Sequence, residues 1–213
     1  MKLVILGANG GTGKELVKLA IGDGHTVTAV TRNPRAFSEV KGVKAVKADV
    51  TKGAELAEVF RGQDAVLSTL GNNNAKLRLI ERSSEAIVSA MQATGVKRLA
   101  VELSFGAAES AQLTKFTRTV MDLYLGKMLA DQRKGVDIIT KSNLDWTIFY
   151  ATILTNGSLT KKIRVVSSGE KIGVKHKISR ADVSHAMLES VTHSSYIKEQ
   201  PVMVGIGGNK GRD

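Results

Sequence analysis

A glycine-rich segment near the start of the chain has the spacing of a phosphate-binding turn. Residues 7–13 read Gly-Ala-Asn-Gly-Gly-Thr-Gly, between the apolar run Lys2–Leu6 and a segment with apolar residues at helical spacing. Glycines at such a junction let the backbone approach a pyrophosphate at the positive end of the helix. The alternative is an ordinary flexible turn, whereas Glu15 after Lys14 excludes a Walker A loop. The candidate ligands are Gly7, Asn9, Gly10, Gly11, Thr12 and Gly13.

The second predicted strand ends without an acidic residue. A site that prefers NAD places an Asp or Glu there to bind the ribose 2′-hydroxyl. Here residues 31–35 read Thr-Arg-Asn-Pro-Arg. The guanidinium of Arg32, with Arg35 beside it, can fork onto a 2′-phosphate and stack on an adenine. The pattern therefore predicts NADP(H), and the alternative is a pair of ordinary surface arginines.

Two further strand ends supply candidate contacts to a dinucleotide. Asp49 and Val50 close the third predicted strand, where the carboxylate can accept from the adenine amino group and the valine can pack on the ring. The alternative is that Asp49, or the threonine two residues later, only caps the next helix. Leu70 and Gly71, followed by an asparagine, end the fourth strand, where the backbone is expected beneath a cofactor ribose; an ordinary turn is the alternative.

These strand ends meet only if the strands are parallel and adjacent. Short apolar segments at 2–6, 26–30, 42–47, 64–70, 97–101 and 145–150 alternate with helical segments, of which 75–94 is the clearest. This alternation predicts an α/β fold with a parallel sheet covered on both faces. The chain, 1–213, is interpreted as a single domain.

The pattern changes after residue 150. Short strands at 163–166 and 171–174 flank Ser-Ser-Gly and predict a hairpin. A capping box at 179–182 then predicts a helix to about residue 191, followed by a last strand at 201–204. We interpret about 151–213 as a small C-terminal cap on the substrate side of the sheet.

Composition narrows the functional classes. The chain has no cysteine, which excludes disulfides and thiol chemistry, and its four histidines show no metal-ligand spacing, so no metal is expected. No apolar run is long enough for a membrane span and no secretory signal is evident, so a cytoplasmic protein is expected. The net charge of +11 favours anionic ligands. The densest basic segment, 161–180, has no aromatic residue for base stacking, which argues against nucleic acid as a partner.

Several motifs together resemble a known family. They are 5–10 (Ile-Leu-Gly-Ala-Asn-Gly), 31–34 (Thr-Arg-Asn-Pro), 48–51 (Ala-Asp-Val-Thr), 142–148 (Ser-Asn-Leu-Asp-Trp-Thr-Ile) and 178–183 (Ile-Ser-Arg-Ala-Asp-Val). In this order they resemble the atypical short-chain dehydrogenase/reductases, the NmrA-like and biliverdin/flavin-reductase-like NAD(P)H-binding proteins, over nearly the whole chain. The resemblance implies a Rossmann-like, doubly wound parallel sheet with NADP(H) across the carboxyl ends of its strands.

The resemblance also marks a departure at the catalytic positions. Standard members use a Tyr-x-x-x-Lys pair, in which Tyr donates the proton and Lys lowers the pKa of that Tyr. This chain instead has Tyr124 and Lys127, which are one residue closer together in sequence. These two share a helix face and can cooperate, but a solvated face is the favoured interpretation. Gln132 stands where relatives often hold Lys or His, and glutamine is not an acid.

Residues at two strand ends occupy the positions that form the substrate side of the site in the family. Ser104 lies in the family's active-site serine region and can bond substrate or nicotinamide; a simple turn serine is the alternative. Tyr150, Ala151 and Thr152 replace the usual Arg-Pro-Gly. The resemblance implies backbone contacts from Ala151 and Thr152 to the nicotinamide amide, and Tyr150 offers a hydroxyl or a stacking face.

A site without a dedicated proton donor suits acceptors that mainly need hydride. Flavins, quinones and conjugated tetrapyrroles are such small molecules, because the cofactor carries the chemistry and the protein aligns the partners. The sequence therefore predicts an NADPH-dependent oxidoreductase. The alternative is a non-catalytic NADP(H) sensor that regulates a protein partner, as the NmrA-like resemblance allows.

Overall fold

The computed structural model describes residues 1–71, 78–109, 112–167 and 169–206. Its strands are β1 (Lys2–Leu6), β2 (Thr26–Val30), β3 (Val43–Val46), β4 (Ala65–Ser68), β5 (Arg98–Ser104), β6 (Gln112–Leu113), β7 (Asp145–Ala151), β8 (Ile153–Thr155), β9 (Ile163–Val165), β10 (Lys171–Ile172), β11 (Lys177–Ser179) and β12 (Val202–Gly205). Its α-helices are α1 (Gly11–Gly22), α2 (Gly53–Phe60), α3 (Leu79–Thr94), α4 (Lys115–Thr140) and α5 (Arg180–Thr192).

The main sheet has eight strands in the order β3-β2-β1-β4-β5-β7-β12-β9. Seven of them are parallel, and β9 is antiparallel to β12. Leu6, the last residue of β1, pairs with Val30 on one side and Ser68 on the other, so these strands end level with one another. The order of the strands reverses at β1 and β4, which is where ligands bind in open α/β sheets. The predicted α/β class is confirmed.

Helices cover both faces of the sheet. On β1, Leu3 and Ile5 contact one core, beneath α1 and α5, whereas Val4 and Leu6 contact the other, beneath α2, α3 and α4. Successive side chains of a strand point to opposite faces. Because both faces are covered, a strand such as β1 must be apolar at every buried position, which explains its unbroken apolar sequence.

Two helix boundaries follow their predicted signals. The α5 helix begins after Ser179, whose Oγ accepts from the backbone N–H of Asp182 at 2.9 Å, and this confirms the predicted cap. The α3 helix ends at Thr94 and is capped by Gly95, which has φ +77°. Glycine adopts this left-handed conformation without the strain that a Cβ adds. The first residues of the helix predicted from 75 lie outside the described residues.

The predicted hairpin after residue 160 is wrong. The strand β9 pairs with β12, through Val165 and Met203, and β10 instead pairs in parallel with β6. The reason is that β12 joins the main sheet beside β7 and exposes an edge that β9 covers. Ser168, at the tip of the predicted hairpin, lies outside the described residues. Much of the segment 151–206 thus extends the sheet and its helical layers, while β6/β10 and β8/β11 form separate two-stranded sheets.

Within the described part of the chain, no helix combines the length and the apolar character that crossing a membrane requires.

Candidate functional site

The glycine loop is held by close backbone contacts between β1, α1 and β4. Gly7 has φ +77°, and a Cβ there would lie 2.8 Å from the carbonyl oxygen of Thr69. A Cβ on Gly13 would overlap the carbonyl oxygen of Gly7. Gly7 and Gly13 are therefore needed for the shape of the loop itself, since any side chain would force the strand and the helix apart.

The middle of the loop faces solvent. Asn9, Gly10 and Gly11 are exposed. Gly10, the cap residue of α1, has no side chain that could cap the helix, and the first turn of α1 carries no acidic residue. The N–H groups of a first helical turn have no acceptor inside the helix, and the helix dipole makes this end positive. The loop therefore fits a bound diphosphate.

Thr12 contributes only its backbone to the loop surface. Its side chain is buried, and Oγ1 donates to Oε1 of Glu102, on β5, at 3.1 Å. Glu102 is almost fully buried, and burial raises its pKa to about 7. Sequence reasoning missed this carboxyl group, although an acidic residue inside an apolar strand was the available signal.

Arg32 and Arg35 are exposed beside the end of β2. Thr31 is buried, donates its backbone N–H to Val46 at 3.0 Å and accepts from the backbone of Asn33 at 3.2 Å, which turns Arg32 outward. Among the described residues, neither guanidinium forms an ion pair. Both guanidinium groups are therefore available to bind an anion.

Asp49 forms a local turn after β3. Its Oδ1 accepts from the backbone N–H of Thr51 at 2.9 Å and from the Thr51 hydroxyl at 2.7 Å. These bonds, the backbone one first, hold the pKa of Asp49 below its usual value. The residue that caps α2 is Lys52, so neither Asp49 nor Thr51 is the helix cap. Val50 packs half-buried on the core beside this turn.

The end of β4 continues the same edge. Leu70 is half-buried against the core, and Gly71 is exposed. A Cβ on Gly71 would meet nothing within 4 Å, so packing within the described chain does not require glycine here. The following asparagine, Asn72, lies outside the described residues.

Ser104 is fixed by the helix that follows its strand. Its backbone N–H donates to Oε1 of the buried Gln132 at 3.0 Å. The neighbouring Arg133 donates to the carbonyl oxygen of Gly106 at 3.1 Å. Sequence reasoning excluded Gln132 as an acid but missed that it anchors the end of β5. Ser104 is half-buried at the carboxyl end of β5.

Tyr150 lies on the other face of the sheet from Ser104. It pairs with Leu103 and is buried in the α4 side of the core, where its hydroxyl donates to Oε1 of Gln200 at 2.9 Å. Ser104, the residue after Leu103, points to the opposite face. Burial raises the pKa of Tyr150 well above its ordinary value. The structure thus does not bring the two predicted hydroxyl groups together.

Ala151 and Thr152 are buried at the end of β7. The backbone N–H and the Oγ1 of Thr152 both donate to the carbonyl oxygen of Met203, on β12, at 3.3 and 3.1 Å. The neighbouring strand therefore already uses these donors. Tyr124, by contrast, is 75 % exposed on α4, and Lys127 is exposed one turn further along.

Arg180 joins the site from the far end of the chain. A Cβ on Gly11 would lie 2.6 Å from its Nε, and its Nη1 donates to Oδ1 of Asn156 at 2.6 Å. Sequence reasoning placed Arg180 in the basic segment, in the capping box and in the family motif at 178–183, but did not predict that it lies at the glycine loop. In the basic segment Arg164 is paired, since its guanidinium donates two bonds of 2.7 and 2.6 Å to Glu170.

Known proteins are similar to this chain in sequence or in fold. The protein YMR090W of Saccharomyces cerevisiae is 25 % identical over 222 residues, which cover 99 % of this chain and 95 % of the yeast protein. An anaerobilin reductase, ChuY of Escherichia coli O157:H7, has the same fold with a TM-score of 0.83 at 19 % identity, covering 97 % of this chain and 98 % of its own.

A protein of Streptococcus pneumoniae named as an NADH-flavin reductase superposes with a TM-score of 0.75 at 24 % identity, covering 96 % of this chain and 99 % of its own. At these identities the two solved structures show the fold alone. The family model described as NAD(P)H-binding matches residues 7–194, from the first glycine of the loop to two residues beyond the end of α5. This match spans most of the chain, and the protein belongs to the NAD(P)H-binding family.

Proposed function

We propose that the protein is an NADPH-dependent oxidoreductase that reduces a conjugated small molecule such as a flavin, a quinone or a tetrapyrrole. The observation that carries the proposal is the uncapped start of α1 at the switch point of the sheet, with Arg32 unpaired among the described residues at the end of the neighbouring strand. The similar proteins named as reductases of anaerobilin and of flavin support the acceptor class.

Each strand end has a proposed part in binding. The loop from Gly7 to Gly13 holds the diphosphate, and Arg32 and Arg35 hold the 2′-phosphate. Asp49 and Val50 contact the adenine, and the backbone of Leu70 and Gly71 passes beneath a ribose. Ala151 and Thr152 line the nicotinamide end. When bound, the nicotinamide supplies a hydride, and the half-buried Ser104 orients the acceptor.

The proposed site favours acceptors that need no strong acid from the protein. An ordinary serine hydroxyl is a poor acid, and burial raises the pKa of Tyr150, which disfavours its ionised form. Tyr124 and Lys127 are both exposed to solvent on α4, and they are spaced one residue closer than a Tyr-x-x-x-Lys pair. Conjugated acceptors take a hydride and then a proton from water, which suits this arrangement.

Arg32→Ala is expected to remove the preference for NADPH over NADH. A charge-assisted contact to the 2′-phosphate contributes about 1.5–3 kcal/mol, so NADPH affinity should fall about tenfold or more while NADH affinity stays nearly constant. Fluorescence titration of both cofactors measures this change. Arg61→Ala, which removes an exposed arginine paired with Glu58 at the end of α2, is the control. Equal affinity of the wild type for NADH and NADPH would refute the assignment.

Ser104→Ala is expected to lower kcat roughly ten- to hundredfold with little change in the Kd for NADPH, because alignment of the acceptor suffers and the cofactor contacts remain. Tyr150→Phe also removes one hydroxyl group and is compared with Ser104→Ala. Because that hydroxyl bonds Gln200, we expect a smaller fall in kcat. The measurement is steady-state NADPH oxidation with the best flavin, quinone or tetrapyrrole acceptor. An unchanged kcat for Ser104→Ala removes it from the site, and an equal loss for Tyr150→Phe adds that hydroxyl to the site.

A further inference from the structure

The side chain of Arg180 crosses the start of α1. A Cβ on Gly11 would lie 2.6 Å from Nε and 2.7 Å from Cδ of Arg180. The end of the Arg180 side chain therefore lies directly over Gly11, the first residue of α1. The packing of α5 against α1 fixes this placement, since Oγ of Ser184 donates to the carbonyl oxygen of Thr12 at 3.0 Å. Two helix starts, one bearing an arginine, therefore lie side by side at the glycine loop.

The surface at the start of α1 is positively charged and has no carboxylate paired with Arg180 among the described residues. Over the four described ranges, Arg180 has no carboxylate within ion-pair distance, and its guanidinium donates to the neutral amide of Asn156. The nearby carboxyl group of Glu102 is buried behind Thr12, and this burial raises its pKa to about 7, although the bond from Thr12 and the charge of Arg180 act in the opposite direction. The positive end of α1 adds to the charge of the guanidinium. The combination is one that an oxyanion would neutralise.

We infer that Arg180 binds the diphosphate of the cofactor, from α5 across to the glycine loop. This inference rests on the cofactor site proposed above. A guanidinium can donate two parallel hydrogen bonds to phosphate oxygens, while the N–H groups of the first turn of α1 bind from the other side. Arg32 lies at the end of β2, where the 2′-phosphate is expected. Arg180 therefore strengthens the binding of NADPH and NADH equally, whereas Arg32 and Arg35 distinguish them.

Calorimetric titration with four ligands separates this role from others. NADPH, NADH and ADP-ribose contain a diphosphate, whereas adenosine 2′-monophosphate does not. Arg180→Gln retains a donor for Asn156 and removes the charge. It is expected to weaken the three diphosphate ligands by about ten- to hundredfold and to leave adenosine 2′-monophosphate unchanged. Lys177→Gln, which removes an exposed cation on β11, is the control for net charge and should change each affinity by less than about twofold.

Each other outcome has a definite meaning. Unchanged ADP-ribose affinity in Arg180→Gln overturns the inference, as does a loss confined to NADPH or shared by adenosine 2′-monophosphate. A wild type that binds none of the diphosphate ligands overturns both this inference and the proposed function. ADP-ribose binding that depends on Arg180, without NADPH oxidation by any acceptor, supports the inference and refutes the reductase.

Discussion

Gly10→Val is expected to abolish NADPH binding, with an affinity loss of at least about a hundredfold, and to leave the fold largely intact. Gly10 is exposed at the cap of α1 with φ −70° and ψ 168°, which valine also adopts. The valine side chain would occupy the place where a diphosphate approaches the backbone. Among the residues that the structure describes, the new Cβ would meet only the carbonyl oxygen of Gly7, at 3.1 Å, which a small shift relieves.

Two other glycines serve as controls for that experiment. Gly22→Val changes the last residue of α1, where a Cβ meets no described residue within 4 Å, so cofactor affinity should not change. Gly13→Val forces a Cβ onto the backbone of Gly7 and Ala8, so it should lower both the melting temperature and the affinity. Titration with NADPH and thermal unfolding of the three variants separate the effects. Normal NADPH binding by Gly10→Val would show that the loop is misassigned.

Glu102→Gln is expected to make the protein markedly more stable at pH 8 but not at pH 4.5. Burial raises the pKa of Glu102 from 4.5 in the unfolded chain to about 7 in the folded one. The folded state therefore binds the proton more tightly, and the free energy of unfolding falls as pH rises through this window. The loss is about 3 kcal/mol across the two pKa values.

Glutamine keeps the acceptor for Thr12 without a charge to bury, so the variant should lack this loss. A chain of this size gains about 2–4 °C in melting temperature per kcal/mol, so a difference of several degrees is expected at pH 8. Thermal unfolding at pH 4.5 to 8 measures it, and Glu39→Gln, an exposed acid, is the control. Parallel pH profiles for wild type and Glu102→Gln would contradict the assignment of the titrating group.

The parts of the fold that sequence predicted are those that local chemistry determines. The strand–loop–helix unit at the start of the chain combines a doubly buried strand with glycines that close packing requires, such as Gly7 and Gly13. Likewise, the Ser179 cap and Gly95 at the end of α3 act within a few residues of themselves. Such signals need no knowledge of the rest of the molecule.

Other features depend on partners that are distant in sequence. Local pattern showed that 163–166 favours a strand, but β12 supplied its partner. Along β7 both faces are buried, so the pattern did not indicate that Tyr150 faces α4. Arg180 reaches Gly11 only because α5 packs on α1. Pairing, strand orientation and long-range packing therefore had to come from the structure.

The proposed reductase activity is tested by the oxidation of NADPH by the wild-type protein in the presence of flavins, quinones and biliverdin, measured as the loss of absorbance of the reduced cofactor. We expect turnover with at least one of these acceptors, at a higher kcat/KM with NADPH than with NADH. Tight NADPH binding without oxidation by any acceptor would contradict this expectation and would favour an NADP(H) sensor.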